Sequence, residues 1–248
     1  MTRWRITIEY DGAGYVGWQR QDNGLSIQQA LEEAVQQFCG EPVRVFGAGR
    51  TDAGVHALGQ VAHFDIQRTV GGDTVRDALN AHLRKQPIVI LQAVEAPDSF
   101  NARTSARERV YHYRINNRRS PPVLQAGRVW HVRNPLDADS MHVAAQILVG
   151  RHDFTSFRAT KCQARSPVRT LDLLSVRRKG DEVLVTGHAR SFLHHQVRNI
   201  VGTLERVGAG KWSAENVYDA LAAKDRSAAG PTAPPDGLYL VSVNYMGD

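Results

Sequence analysis

The sequence is poor in cysteine and has no long hydrophobic run. Its 248 residues include two cysteines, Cys39 and Cys162, which excludes a disulfide framework and a cysteine-rich zinc site. No apolar stretch approaches the ~18–20 residues that a membrane-spanning helix requires. The N-terminus reads as a strand and contains no signal-peptide core. We therefore expect a cytoplasmic protein that does not associate with a membrane.

Lysine is also scarce, and the basic residues that are present are unevenly distributed. Of 31 basic residues, five are lysine and 26 are arginine. Residues 1–105 have a net charge of −2, whereas residues 106–248 have a net charge of +8. A GC-rich genome would favour arginine codons everywhere. Residues 107–119, however, combine five arginines with two tyrosines on a predicted strand, and this pattern indicates a nucleic-acid surface.

Hydrophobic periodicity predicts two α+β halves, residues 1–105 and 106–248. In the first half, residues 3–10 alternate as a strand, Ser26 caps a helix, and Asp73 or Thr74 caps a second helix. The predicted order is β-α-β-β-α-β, the ferredoxin-like split β-α-β arrangement.

The second half repeats this order less clearly. Its predicted elements are a strand at Arg109–Ile115, a helix at Met141–Val149, strands at Thr170–Val176 and Glu182–His188, a helix over 193–207, a helix capped by Ser213 and a strand at Gly237–Val243. We expect mainly antiparallel sheets, a basic second half with an RNA-contacting strand and helix, and a catalytic cleft between the two halves.

Two motifs resemble cofactor or metal sites only superficially. Gly12 to Gly17 (GAGYVG) matches G-x-G-x-x-G, but the next predicted helix begins near Ser26, too late for a dinucleotide site. The motif therefore predicts a flexible turn. His194 and His195 are adjacent and cannot form the i, i+4 zinc pair of a helix. We expect no metal and no cofactor.

One glycine-rich segment carries residues suited to chemistry. Arg50 and Asp52 lie two positions apart between two predicted strands, among glycines that allow close approach of a ligand. A carboxylate in this setting is a candidate nucleophile or base, held anionic by neighbouring guanidinium groups. The alternative is a structural turn in which Asp52 caps its own backbone and pairs with Arg50.

The chain resembles the tRNA pseudouridine synthase A family along nearly its whole length. The most specific match is Ala48 to His56 (AGRTDAGVH). The supporting matches follow in the expected order: EYDG at 9–12, GWQ at 17–19, AR at 102–103, RVYHY at 109–113, DFTSF at 153–157 and HHQVRNIVG at 194–202.

This resemblance implies isomerisation of uridine to pseudouridine at positions 38, 39 and 40 of the tRNA anticodon stem-loop, without a cofactor. The family's nucleophilic aspartate falls on Asp52, and its base-stacking tyrosine falls on Tyr111. The motif arginine falls on Arg198, expected to pair with Asp52, and Arg50 is expected to help flip or replace the target base. The family works as a homodimer.

Two other functions compete with this interpretation. An inert RNA-binding module would keep the basic surface without needing Asp52. A uracil glycosylase would use the same carboxylate on the same bond but release free uracil, so product analysis separates it from an isomerase.

Overall fold

The computed structural model describes residues 1–68 and 70–246, which form a mixed α+β structure with mainly antiparallel strand pairing. Two units are distinguished. Unit 1 contains Met1–Arg107 and the residues from Tyr239 onward, and unit 2 contains Glu108–Leu238. Within the described ranges, no helix is long and apolar enough to cross a membrane.

The described residues form eleven strands and five α-helices. In chain order they are β1 (Thr2–Tyr10), α1 (Ile27–Cys39), β2 (Phe46–Gly47), β3 (His56–Ile66), α2 (Gly72–His82), β4 (Ile88–Ala96), β5 (Glu108–Asn116), β6 (Trp130–His131), α3 (Ala138–Gln146), β7 (Gly150–Asp153), β8 (Val168–Leu171), β9 (Leu173–Lys179), β10 (Glu182–Ala189), α4 (Gln196–Gly208), α5 (Ala214–Ala223) and β11 (Leu238–Asn244).

The sheet of unit 1 is built around β1 and β3. β1 pairs antiparallel with both β3 and β4. β3 also pairs antiparallel with the short β2 and parallel with β11, where Tyr239 lies opposite His56. β3 therefore lies between β1 and β2, and the buried face of β1 carries the alternating residues Trp4, Ile6, Ile8 and Tyr10.

The first helix follows the predicted capping pattern, whereas the second does not. The Ser26 hydroxyl accepts a hydrogen bond from the backbone N–H of Gln29, and Gly40 ends α1 with a φ of 86°. The prediction that Asp73 or Thr74 caps α2 is wrong, because Gly71 is the N-cap and the helix begins at Gly72. A Cβ at Gly72 would overlap the carbonyl oxygen of Ala93, so packing against β4 fixes this helix start.

In unit 2, β10 pairs antiparallel with β5 and β9, and β6 adds in parallel to β5. The strand predicted at Thr170–Val176 is divided, because β8 pairs with β7 in a separate two-stranded sheet before β9 begins. The helix predicted at Met141–Val149 begins earlier, at Ala138. There the Asp137 carboxylate caps it by accepting from the N–H groups of Asp139 and Ser140.

His63 is a buried histidine in unit 1 whose environment favours the neutral ring. Its Nδ1 accepts a hydrogen bond of 3.2 Å from the backbone N–H of Ala102, and its ring stacks on Phe46 with centroids 5.2 Å apart. Burial lowers the pKa of His63, and the positive charge of Arg3 lowers that pKa further. Protonation of Nδ1 would place two N–H donors against each other.

This environment predicts that His63 makes stability depend on pH. Because its pKa is lower in the folded state, its contribution is complete above the unfolded value of about 6.5 and is lost as the pH falls below it. Urea unfolding at a series of pH values should show a weaker acid loss for His63→Gln than for the unchanged protein. His82→Gln, at an exposed position, is the matched control. Equal acid sensitivity in all three proteins would contradict the assignment.

Candidate active site

The candidate nucleophile Asp52 lies in the Asp52 loop, residues 48–55, which connects β2 to β3 in unit 1. Asp52 is half-buried and Arg50 is exposed. The Ala48 N–H donates to the carbonyl of Val61 at 2.7 Å, and the Gln60 side-chain amide donates to the carbonyl of Gly49 at 2.9 Å. The first part of the loop is thus fixed to β3.

The centre of the Asp52 loop is held by the end of β1 and the turn that follows. The Trp18 N–H donates to the carbonyl of Thr51 at 3.0 Å, while the hydroxyls of Thr51 and Tyr10 lie 2.8 Å apart. The Val55 N–H donates to the carbonyl of Asp52 at 3.1 Å, which closes the turn around the carboxylate residue. The backbone on both sides of Asp52 is therefore fixed by hydrogen bonds.

The Gly12 to Gly17 motif packs directly on this loop. A Cβ on Gly17 would lie 2.8 Å from the carbonyl oxygen of Thr51, and a Cβ on Gly12 would overlap the carbonyl of Val55. The nearby side chains of Tyr15 and Trp18 are buried. The predicted turn is confirmed. The expectation that it is flexible is wrong, because this turn is packed against the loop that carries Asp52.

His56 supports the end of the loop and was not recognised from the sequence. It is 2% exposed, and its Nδ1 lies 3.0 Å from both the Gly12 N–H nitrogen and the Asp11 carboxylate. Its ring stacks on Tyr239 with centroids 4.8 Å apart. The available signal was its position directly after the loop, within the family motif.

Tyr111 lies on β5 in unit 2, opposite Gly187 of β10. Its ring is largely buried and meets Phe192 edge-on, with centroids 5.1 Å apart. Phe192, which sequence reasoning missed, therefore restrains the tyrosine ring. A Cβ on Gly187 would lie 3.8 Å from the Phe192 ring, so this ring packs over the glycine that faces Tyr111.

The arginines of residues 107–119 lie on both faces of β5 and beyond its end. Tyr111 and Tyr113 point to one face of β5, whereas Arg114 points to the other and pairs with Glu182 at 2.8 Å. Arg109 is buried and donates to the carbonyl of Arg190. Arg109 lies on the same face as the two tyrosines but is buried, so it offers no exposed charge beside them. The role of this strand in contacting RNA stays a prediction.

Arg198 lies on α4, which packs against β5 in unit 2. Its Nε donates to the carbonyl of Ala233 at 2.8 Å, which fixes one edge of the guanidinium. Burial raises the pKa of Tyr113, and the positive charge of Arg198 on the adjoining helix opposes that rise. The structure thus brings Arg50 and Asp52 together in one loop, and Arg198 and Tyr111 onto adjoining elements of unit 2. The pairing of Arg198 with Asp52 stays a prediction.

The packing of the loop predicts different effects from two glycine substitutions. Gly14 and Gly17 both have positive φ, 86° and 107°, but a Cβ at Gly14 would meet nothing within 4 Å. Gly14→Ala should cost about 1–2 kcal/mol of unfolding free energy through backbone strain alone. Gly17→Ala should cost a further ~1–3 kcal/mol, because its methyl group displaces Thr51.

Chemical denaturation measures the two costs, and hydrogen exchange at the Trp18 and Val55 amides reports on the loop. Faster exchange at these amides is expected in Gly17→Ala alone. Equal unfolding free energies and equal exchange in the two variants would show that the turn does not hold the loop.

Comparison with known proteins places these elements in a family. A family model described as tRNA pseudouridine synthase matches residues 6–104 and 144–246. The tRNA pseudouridine synthase A of Rhodospirillum rubrum is 62% identical over 248 residues, covering 100% of this chain and 89% of the relative. The protein of the same name from Parvibaculum lavamentivorans is 60% identical, covering 99% of this chain and 100% of the relative.

A third relative, the tRNA pseudouridine synthase A of Nitrobacter winogradskyi, is 59% identical over 247 residues and is covered over 97% of its length. These matches extend along the whole chain and include the Asp52 loop and both halves of the sequence. The chain belongs to the tRNA pseudouridine synthase family.

Proposed function

We propose that this protein converts uridine to pseudouridine at positions 38, 39 and 40 of the tRNA anticodon stem-loop. The observation that carries the proposal is the full-length similarity, near 60% identity, to proteins named tRNA pseudouridine synthase A. The reaction breaks the N1–C1′ bond and forms a C5–C1′ bond, while C5 gives up one proton and N1 takes up one proton. Atoms and electrons balance within the nucleoside, so no cofactor is required.

Asp52 is the nucleophile in this proposal. It is an acid on a loop whose backbone is hydrogen-bonded on both sides, so the carboxylate is positioned before the substrate arrives. Covalent attack by a positioned carboxylate divides a difficult bond exchange into two easier steps. Arg198, whose Nε is held by the Ala233 carbonyl, is a substrate-binding residue in this proposal.

Tyr111 stacks on the target base after it leaves the RNA stack. Its ring is held edge-on by Phe192 and is thus oriented before the base arrives. Stacking contributes ~1–3 kcal/mol per base and offsets part of the cost of flipping. Arg50, exposed on the Asp52 loop, assists flipping or occupies the vacated position.

The remaining features of the proposal concern assembly and organisation. The protein acts in the cytoplasm as a homodimer that holds tRNA across both subunits. The catalytic half is residues 1–105 and the RNA-contacting half is residues 106–248, and each is ferredoxin-like. The position of β3 between β1 and β2 supports the split β-α-β arrangement in the first half.

Replacing Asp52 by asparagine tests the nucleophile. Asp52→Asn keeps the shape but removes the charge, so turnover should fall by at least ~10⁴-fold, a barrier increase above ~5 kcal/mol. The assay follows tritium release from tRNA labelled at uridine C5, with free uracil measured in the same samples. Asp22→Asn, at an exposed acid of the same unit, should retain full activity.

Each outcome distinguishes the candidate functions. Tritium release without free uracil supports the isomerase. Liberation of free uracil identifies a glycosylase, and absence of both products with tight tRNA binding identifies a non-catalytic module. Ready turnover by Asp52→Asn would refute its role as the nucleophile.

Replacing Tyr111 tests base stacking. Tyr111→Ala should lower kcat/KM by about 5- to 150-fold, which corresponds to the ~1–3 kcal/mol of stacking. Tyr111→Phe should be nearly neutral if stacking is the whole role, and should turn over slowly with normal tRNA binding if the hydroxyl helps remove the C5 proton. Full activity in Tyr111→Ala would refute both versions.

Tyr113→Phe is the matched control, two residues along the same face of β5. The Tyr113 hydroxyl donates to the carbonyl of Pro234 at 2.7 Å. Its loss should cost about 1 kcal/mol of stability and leave kcat/KM unchanged.

A further inference from the structure

Unit 2 contains a basic cleft that none of the roles above uses. The arginine cleft has a volume of about 670 Å³, and its lining includes Arg118, Arg119, Arg133 and Arg178 with Asn117 and Leu136. No acidic or aromatic residue lines it. The cleft lies where the chain leaves β5, beside the end of β9.

A buried asparagine fixes the walls of the arginine cleft. The Asn117 side-chain amide donates to the carbonyls of Val132 and Asn134 at 2.9 and 2.7 Å. Its oxygen accepts from the Leu136 N–H at 3.0 Å and from Arg178 at 2.8 Å. Arg178 also donates to the carbonyl of Leu136 at 2.6 Å. All the hydrogen-bonding capacity of the Asn117 side chain joins the two walls, so the cleft is preformed.

The positive charge in the cleft is only partly compensated. Arg118 lies 3.7 Å from the exposed carboxylate of Asp181. Hydrogen bonds from Ser140 lower the pKa of Asp137, and the positive charge of Arg178 lowers that pKa further. In the part of the chain that the structure describes, Arg119 and Arg133 have no ion pair and no hydrogen-bond acceptor. Two guanidinium groups therefore face the cleft with their donors available.

This donor set matches a nucleic-acid backbone. Guanidinium groups bind phosphate oxygens through paired, charge-assisted hydrogen bonds. A site that reads bases by stacking would need aromatic side chains, which this lining lacks. Contacts to phosphate position an RNA without reading its sequence.

We propose that the arginine cleft binds consecutive phosphates of the RNA backbone, through Arg119 and Arg133, away from the reacting uridine. Asn117 directly follows β5 and lies six residues after Tyr111, which in extended chain corresponds to about 20 Å. This inference rests on the proposed function for the identity of the RNA, because the RNA held in the cleft is the tRNA whose uridine is isomerised. The cleft contributes to tRNA affinity and not to the chemical step.

The test compares two double variants of the full chain that remove equal charge from unit 2. Arg119→Ala/Arg133→Ala empties the cleft, whereas Arg151→Ala/Arg177→Ala removes exposed arginines of β7 and β9 outside it. Binding of unmodified tRNA is measured by fluorescence anisotropy at several salt concentrations. Thermal unfolding confirms that each variant is folded.

The cleft variant should bind tRNA about tenfold more weakly and reduce the slope of log affinity against log salt by about 2. Its single-turnover rate at saturating enzyme should be unchanged, and the loss should be similar for tRNAs of different sequence. The control variant should lose much less affinity. Inorganic pyrophosphate, added to the unchanged protein, should compete with tRNA only in the millimolar range.

Unchanged tRNA affinity in the cleft variant would overturn the proposal. This is also the result expected if the cleft instead binds a small anion or an acidic protein. Equal losses in the two variants would also overturn it, because net charge alone would then explain binding. If the unchanged protein forms no pseudouridine but the cleft variant still loses tRNA affinity selectively, the proposed function fails and the cleft assignment stands.

Discussion

The close packing of the Gly12–Gly17 turn on the Asp52 loop is the constraint on which the candidate site depends. The backbone of Gly17 approaches Thr51 and its neighbours at a distance that leaves no room for a Cβ, and the adjacent Trp18 N–H donates to the Thr51 carbonyl. A loop that carries a nucleophile must be exposed, yet its backbone must not move. Here the rigidity comes from backbone contact with a neighbouring turn.

Local patterns predicted much of the fold because they act over a few residues. The Ser26 cap, the Gly40 terminus and the alternation in β1 follow from side-chain chemistry within one element. The start of α2 at Gly72 did not follow, because contact with Ala93 of β4 determines it. For the same reason, the supporting role of the Gly12–Gly17 turn could not be predicted, since the sequence does not show which loop a turn will touch.

The net charge of the second half follows from composition, whereas the environment of each arginine depends on its place along β5. The clustered arginines of 107–119 are distributed by strand alternation and by the end of β5. Arg109 is buried, Arg114 is paired with Glu182, and Arg118 and Arg119 reach the arginine cleft. Asp52 and Tyr111 could be named from the family motif, whereas Phe192, His56 and Asn117 required the structure because their importance lies in what they contact.

In the proposed function, the Asp52 loop is the catalytic element of an enzyme that modifies uridines of the anticodon arm. The most direct measurement incubates the protein with an unmodified tRNA transcript that has uridines at positions 38, 39 and 40, then maps pseudouridine by carbodiimide treatment and primer extension. We expect extension stops at these three positions and at no other uridine. Absence of stops in the anticodon stem-loop, or stops confined to another arm of the tRNA, would contradict it.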